Sequence, residues 1–92
     1  MNYIIIDSGQ NGFCIAAVPE NIADNIRYYQ SLFDSWLIDR SSPHSYWREL
    51  KNGEFGLEYD GPTAFIEWLN DNIIKGSEKA RIICDEVPMI HF

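Results

Sequence analysis

Two Asn-Gly dipeptides, Asn11-Gly12 and Asn52-Gly53, constrain the fold of this 92-residue chain more than any other feature. Asn-Gly supplies the positive backbone φ that tight hairpin turns require. Each dipeptide lies between apolar or alternating segments that are typical of β-strands. The sequence therefore predicts two antiparallel β-hairpins. It argues against an all-parallel sheet, because hairpin turns cannot join parallel neighbours.

Five strands are predicted. Residues 3–6 and Phe13–Val18 form the first hairpin, and the unbroken apolar run at 3–6 favours a central strand covered on both faces. In the second hairpin, residues 54–60 alternate in character, which directs Phe55, Leu57 and Tyr59 toward the core and places the carboxylates on the other face. Residues 46–50 are compatible with either a strand or one helical turn. Residues 80–84 are predicted to be a buried fifth strand.

The first predicted helix follows Pro19. Asn21 and Asp24 resemble a helix N-cap pair, and the helix is expected to end at Leu37 or Ile38. Its apolar residues recur at steps of three and four, which places them on one face. These residues are Ile22, Ile26, Tyr29, Phe33 and Trp36.

The second predicted helix starts at residues 61–63, with Pro62 in its first turn, and stops at Gly76. Its inner face comprises Phe65 or Ile66, then Leu69 and Ile73, so that Trp68 falls outside it.

The predicted order of elements is β-β-α-β-β-α-β. We expect one α+β domain over residues 1–92, with a mostly antiparallel sheet of about five strands and two helices packed on one face. Cys14 and Cys84 are expected to be small apolar residues inside strands. The tail, residues 87–92, is limited by Pro88 to an edge strand or an irregular segment.

Charge narrows the classes of function. Seven basic residues against fourteen acidic ones give a net charge of -7, and the basic residues form no cluster. This argues against a nucleic-acid partner and favours a basic protein partner. The first residues do not resemble a signal peptide, no apolar run is long enough to span a membrane, and the cysteines are far apart. We therefore expect a reducing, cytoplasmic location and no membrane contact.

Catalytic and metal-binding patterns are weak. Asp39, Glu49 and Lys51 match only the loosest outline of a metal-dependent nuclease. The set Cys14, Cys84, His44 and His91 lacks the close ligand spacing of structural zinc sites. The sequence therefore favours a protein that is not an enzyme and that has no metal site and no cofactor.

Acidic side chains near tryptophans are the remaining candidates for function. Glu54, Glu58 and Asp60 are predicted on one face of a strand, and Glu67 and Asp71 on the outer face of the second helix. Aromatic anchors surrounded by charge are typical of protein interfaces. The predicted anchor is Trp47, Trp68 or Phe92.

In size, acidity, β/α content and lack of catalytic motifs, the chain resembles the small immunity proteins of bacterial contact-dependent and other polymorphic toxin systems. That resemblance implies a one-to-one complex with a cognate toxin, often a nuclease whose basic active cleft is occluded by acidic side chains. The chain also resembles phage-encoded inhibitors of host defence nucleases, of the anti-CRISPR or anti-restriction type. The sequence is compatible, in addition, with a small metal-dependent enzyme and with a homodimer formed through residues 87–92.

Overall fold

Pairs of strands are separated by helices along the chain in a computed structural model that describes residues 1–7 and 12–87. The strands are β1 (Asn2–Asp7), β2 (Phe13–Val18), β3 (Trp47–Glu49), β4 (Phe55–Leu57) and β5 (Arg81–Val87). The helices are α1 (Glu20–Asp24), α2 (Ile26–Ile38) and α3 (Gly61–Trp68), and α3 continues into a π-helical turn, Leu69–Ile73.

The strands form two antiparallel sheets. One has three strands in the order β1-β2-β5, and the other is the β3–β4 hairpin. The α+β class and the antiparallel pairing are therefore confirmed. The prediction of one five-stranded sheet with two helices is wrong, since among the described strands β3 and β4 pair only with each other, and the first helix is divided in two.

Both hairpins form where the Asn-Gly turns predict them. In the first, Asn2 pairs with Val18 and Asp7 with Phe13, and Gly12 adopts a φ of 98°. Residues 8–11, between its strands, lie outside the described residues. In the second, Gly53 adopts a φ of 83°, a conformation that favours glycine.

Residues 46–50 contain a strand and not a helical turn. Trp47 pairs with Leu57 and Glu49 with Phe55. Phe55, which the alternation places toward the core, is 50% exposed. Leu57 is the residue of this three-residue strand that packs against the core.

The helices cover only one face of the main sheet. Ile4 and Ile6 pack against the core, whereas Tyr3 and Ile5 on the opposite face are each 70% exposed. The prediction that residues 3–6 are a central strand covered on both faces is therefore wrong. β1 lies at an edge and alternates like any half-covered strand.

In β5 too, residues that the sequence predicts to be buried are exposed. Ile82 packs against the core, but Ile83 is 47% exposed and Cys84 is also exposed. Cys14 is buried, as expected, whereas the prediction that Cys84 is buried is wrong, because the helices do not reach its side of the sheet. The tail from Pro88 onward lies outside the described residues.

The first predicted helix is broken at Asn25, whose φ of −123° departs from helical geometry. α1 begins after Pro19, so Asn21 lies inside the helix and does not cap it. The side-chain amide of Asn25 donates to the carbonyl of Asn21 at 2.8 Å. The predicted apolar face nevertheless points into the core from both helices, and α2 ends at Ile38 as expected.

α3 begins as predicted, with the Asp60 carboxylate accepting a hydrogen bond from the Thr63 backbone amide at 3.1 Å. The helix does not reach Gly76, because the π-helical turn ends at Ile73. Five of the eight residues of α3 are apolar and buried. Trp68, predicted to lie off the inner face, is only 5% exposed.

Aromatic side chains dominate the core between α2 and α3. The ring of Phe33 lies 5.4 Å from that of Phe65 and 5.6 Å from that of Trp68, measured between centroids. These separations lie within the range of favourable aromatic packing. Tyr59, which follows β4, contacts the same cluster at 6.4 Å from Phe33. The small hairpin is thereby attached to the helices.

The π-helical turn is joined to the start of β5 by side chains. The Asn70 amide nitrogen donates to the carbonyl of Ala80 at 2.9 Å, and its amide oxygen accepts from the Ala80 backbone amide at 2.8 Å. The ammonium group of Lys79 donates to the carbonyl of Ile74 at 2.7 Å. These bonds satisfy backbone groups that no regular ladder reaches.

Candidate functional site

The carboxylates of Glu54, Glu58 and Asp60 form what we call the hairpin acidic surface. All three residues are exposed, but only the segment Phe55–Leu57 between Glu54 and Glu58 is a strand. Glu58 lies 3.7 Å from the guanidinium of Arg48, and Asp60 caps α3. Two of the three predicted carboxylates therefore already have partners within the chain.

Glu67 and Asp71 form a second surface, the helix acidic surface. Glu67 lies in α3 and Asp71 in the π-helical turn, and both are exposed. Single π-helical turns occur frequently at functional sites. Here the turn follows directly on Trp68, so the acidic residues and the aromatic core belong to one short segment.

A groove of about 520 Å³ lies beside the helix acidic surface. We call it the aromatic groove. It brings together residues from the end of α2, the loop after α2, and α3 with its π-helical turn. Its aromatic and charged lining comprises Trp36, His44, Tyr46, Glu67, Trp68 and Asp71.

His44 organises the aromatic side of the groove. Its Nε2 lies 2.8 Å from the carbonyl of Leu37, in the last turn of α2, and its Nδ1 lies 3.2 Å from the backbone nitrogen of Tyr46. The tautomer with the proton on Nε2 satisfies both bonds, donating to the carbonyl and accepting from the amide. His44 thus caps the helix and fixes the position of the following residues.

The rings around His44 are close to one another. Its ring centroid lies 4.8 Å from that of Trp36 and 4.8 Å from that of Tyr46, with which it is nearly parallel. Trp36 in turn lies 6.5 Å from Trp68. The groove therefore has a continuous aromatic wall, supported from behind by the core.

The electrostatic field in the groove is negative. The pKa of Tyr46 is raised above its ordinary value of 10.0 by burial and, secondarily, by the charges of Glu67 and Asp71. Both effects disfavour the phenolate, because burial penalises a charge and nearby carboxylates repel it. The same field favours any positive charge that enters the groove.

Trp47, the first predicted anchor, is half-buried and already contacts a cation. The guanidinium of Arg40 lies 4.5 Å from the centroid of the Trp47 ring and 4.9 Å from that of Phe55. The Trp47 ring is also stacked against His44 at 6.3 Å. Trp47 and the groove consequently belong to one aromatic surface.

Trp68, the second predicted anchor, is not an exposed side chain. It is buried and contributes only to the wall of the groove.

The sequence analysis does not identify His44 and Tyr46 as site residues, because it places them in a loop and at the start of a strand. A histidine near the end of a helix is a known partner for the last carbonyls, and the sequence contains this signal.

The candidate metal-binding residues do not form a ligand cluster within the described residues. The Asp39 carboxylate accepts hydrogen bonds from the hydroxyl and the amide of Ser41, at 2.7 and 2.9 Å, and these bonds lower its pKa. Within residues 1–7 and 12–87, no three His, Cys, Asp or Glu side chains lie close enough together to hold a metal ion. His91 lies outside those ranges.

The helices of the described ranges are all too short or too polar to cross a lipid bilayer. Phe92, the third predicted anchor, falls outside the described residues.

Comparisons with protein-family models, with curated proteins and with solved structures find no match to this chain.

Proposed function

We propose that this chain is an inhibitory binding protein that docks on a basic partner and blocks it, in the manner of an immunity protein that neutralises a nuclease-type toxin by occluding its basic active cleft. The observation that supports the proposal is an acidic surface with little internal compensation. The net charge is -7, and the one ion pair found between two described residues joins Arg48 to Glu58.

The helix acidic surface is the better centre for such an interface. Glu67 and Asp71 are exposed beside an aromatic wall, whereas Glu58 and Asp60 have partners within the chain. Tight interfaces combine aromatic anchors with polar rims, and charge complementarity mainly accelerates association. The hairpin acidic surface would extend the same negative field toward the partner.

The test is direct binding and inhibition. A panel of purified basic nuclease toxin domains is titrated against the chain, with a basic protein that lacks nuclease activity as the control. We expect one nuclease to form a one-to-one complex and to lose DNA or RNA cleavage. We also expect its association rate to fall steeply as salt rises, because exposed charges steer the encounter.

Charge-neutral variants locate the interface. Glu54→Gln, Glu58→Gln and Asp60→Asn together should slow association several-fold at low salt, and Asn at position 60 keeps a good helix cap. If every nuclease binds no better than the basic control protein, the proposed function is wrong. A host defence nuclease in the same panel identifies a phage-type inhibitor instead.

A further inference from the structure

We propose that the aromatic groove receives the guanidinium group of an arginine side chain from the protein partner. The inference rests on the proposed function, because it takes a basic protein as the source of the arginine. It goes further by naming one pocket and one kind of side chain.

The walls of the groove suit a flat cation. His44 and Tyr46 stack on each other at 4.8 Å, and Trp36 lies 4.8 Å from His44, so a guanidinium cannot enter between these rings and would lie against the part of the aromatic wall that lines the groove. An arginine guanidinium binds over indole and phenol faces through their negative quadrupoles, and its planar shape also allows stacking. The groove volume of about 520 Å³ accommodates such a side chain.

The acidic rim supplies the complementary charge. Glu67 and Asp71 line the same groove, and the charge of both acts on Tyr46, which raises its pKa. Arginine donates two parallel hydrogen bonds to a carboxylate, a geometry that lysine does not match. An arginine lying against the aromatic wall would therefore present its N–H groups to these carboxylates.

The chain itself contains an example of the same contact. Arg40 places its guanidinium 4.5 Å from the centre of the Trp47 ring, and Trp47 stacks on His44, which also lines the groove. One guanidinium thus already occupies this aromatic surface next to the groove. This precedent favours arginine over lysine as the occupant.

The experiment uses the intact chain and Nα-acetyl-arginine amide as the probe. Binding is followed by NMR through the indole N–H of Trp36 and the ring signals of Tyr46. We expect these signals to shift in a saturable way, with millimolar affinity. The neutral citrulline analogue, which has a similar shape, should produce no saturable shift at the same concentrations.

Two double variants with equal net charge separate the groove from the general field. Glu67→Gln with Asp71→Asn should weaken arginine-amide binding about fivefold, from two exposed charge contacts. Glu49→Gln with Glu78→Gln removes two exposed charges that do not line the groove and should change binding by less than about twofold. Thermal unfolding measured by circular dichroism verifies that each variant is folded.

Equal binding of citrulline, or equal effects of the two double variants, would overturn the inference. Its failure is distinguishable from failure of the proposed function. A nuclease complex that forms normally with Glu67→Gln and Asp71→Asn contradicts the groove while leaving the inhibitor intact. Groove binding of arginine amide without any nuclease complex contradicts the inhibitor and the protein origin of the arginine.

Discussion

Replacing Asn70 with alanine should destabilise the protein more than its partly exposed position suggests. The Asn70 side chain makes two hydrogen bonds to the backbone of Ala80, at 2.8 and 2.9 Å, and Ala80 itself is buried. Each net hydrogen bond contributes about 0.5–1.5 kcal/mol, and leaving buried groups unsatisfied adds to the cost. We expect a loss of about 2–3 kcal/mol in the free energy of unfolding.

The assay is urea unfolding followed by tryptophan fluorescence and far-ultraviolet circular dichroism. For a domain of this size, a loss of that magnitude lowers the melting temperature by roughly 8–24 °C. Asn72→Ala is the matched control, because Asn72 makes one bond, from its amide to the carbonyl of Trp68 at 3.1 Å, within its own helical turn. That variant should cost less than about 1 kcal/mol.

Asn70→Asp sharpens the test. The carboxylate keeps an acceptor for the Ala80 amide but loses the donor and places a negative charge against the Ala80 carbonyl. It should also be destabilising at neutral pH. If Asn70→Ala falls within about 0.5 kcal/mol of the wild type, or matches Asn72→Ala, the link to Ala80 does not stabilise the fold as argued.

Three further predictions concern Asp60, Leu69 and Tyr46. Asp60→Ala removes the α3 cap and should cost about 1 kcal/mol in urea unfolding, whereas Asp60→Asn should cost little; equal losses would contradict the capping role. Leu69→Ala truncates a fully buried side chain and should cost about 2–5 kcal/mol by the same measurement; a loss below about 1 kcal/mol would show that the site is not packed as described. Because the pKa of Tyr46 is raised, the folded state holds the phenol proton more tightly than the unfolded state does. The contribution of this effect to the free energy of unfolding is complete below pH 10.0 and is lost as the pH rises through the folded-state pKa. Phenolate absorbance, assigned with Tyr46→Phe, should show a lower pKa when Glu67 and Asp71 are neutralised, and an unchanged pKa would refute their influence.

Local signals predict the elements of this fold well. Gly12 and Gly53 adopt the positive φ that their Asn-Gly turns indicate, and Pro62 marks the start of α3. The spacing of apolar residues along 22–37 predicts the buried face of the first helical segment. These properties depend on neighbouring residues and can therefore be read from short windows.

Properties that depend on distant segments are not predicted. The four apolar residues at 3–6 suggest full burial, but the number of helices available to cover a sheet is decided by the whole chain. Trp68 falls outside a regular helical face, yet the helical segment that contains it is buried on most sides. Its continuation as a π-helical turn also changes the angular spacing of the residues after it.

The candidate site is predictable only in part. The spacing of Glu67 and Asp71 places them together on a helix face, and both line the aromatic groove. The aromatic wall escapes prediction because His44 and Tyr46 come from the loop after α2, which reaches the helix acidic surface only through tertiary packing. A local sequence pattern carries no information about contacts between segments that are distant along the chain.

The central strand of the main sheet gains its second neighbour from the far end of the chain. β1 and β2 are close in sequence, whereas Ala17 pairs with Arg81, and most of the sequence lies between them. Contacts between distant residues form slowly, because closing a long loop costs entropy. During synthesis, β2 therefore keeps an open edge until β5 leaves the ribosome. We expect that interval, and not the finished fold, to be when this chain is most prone to aggregate.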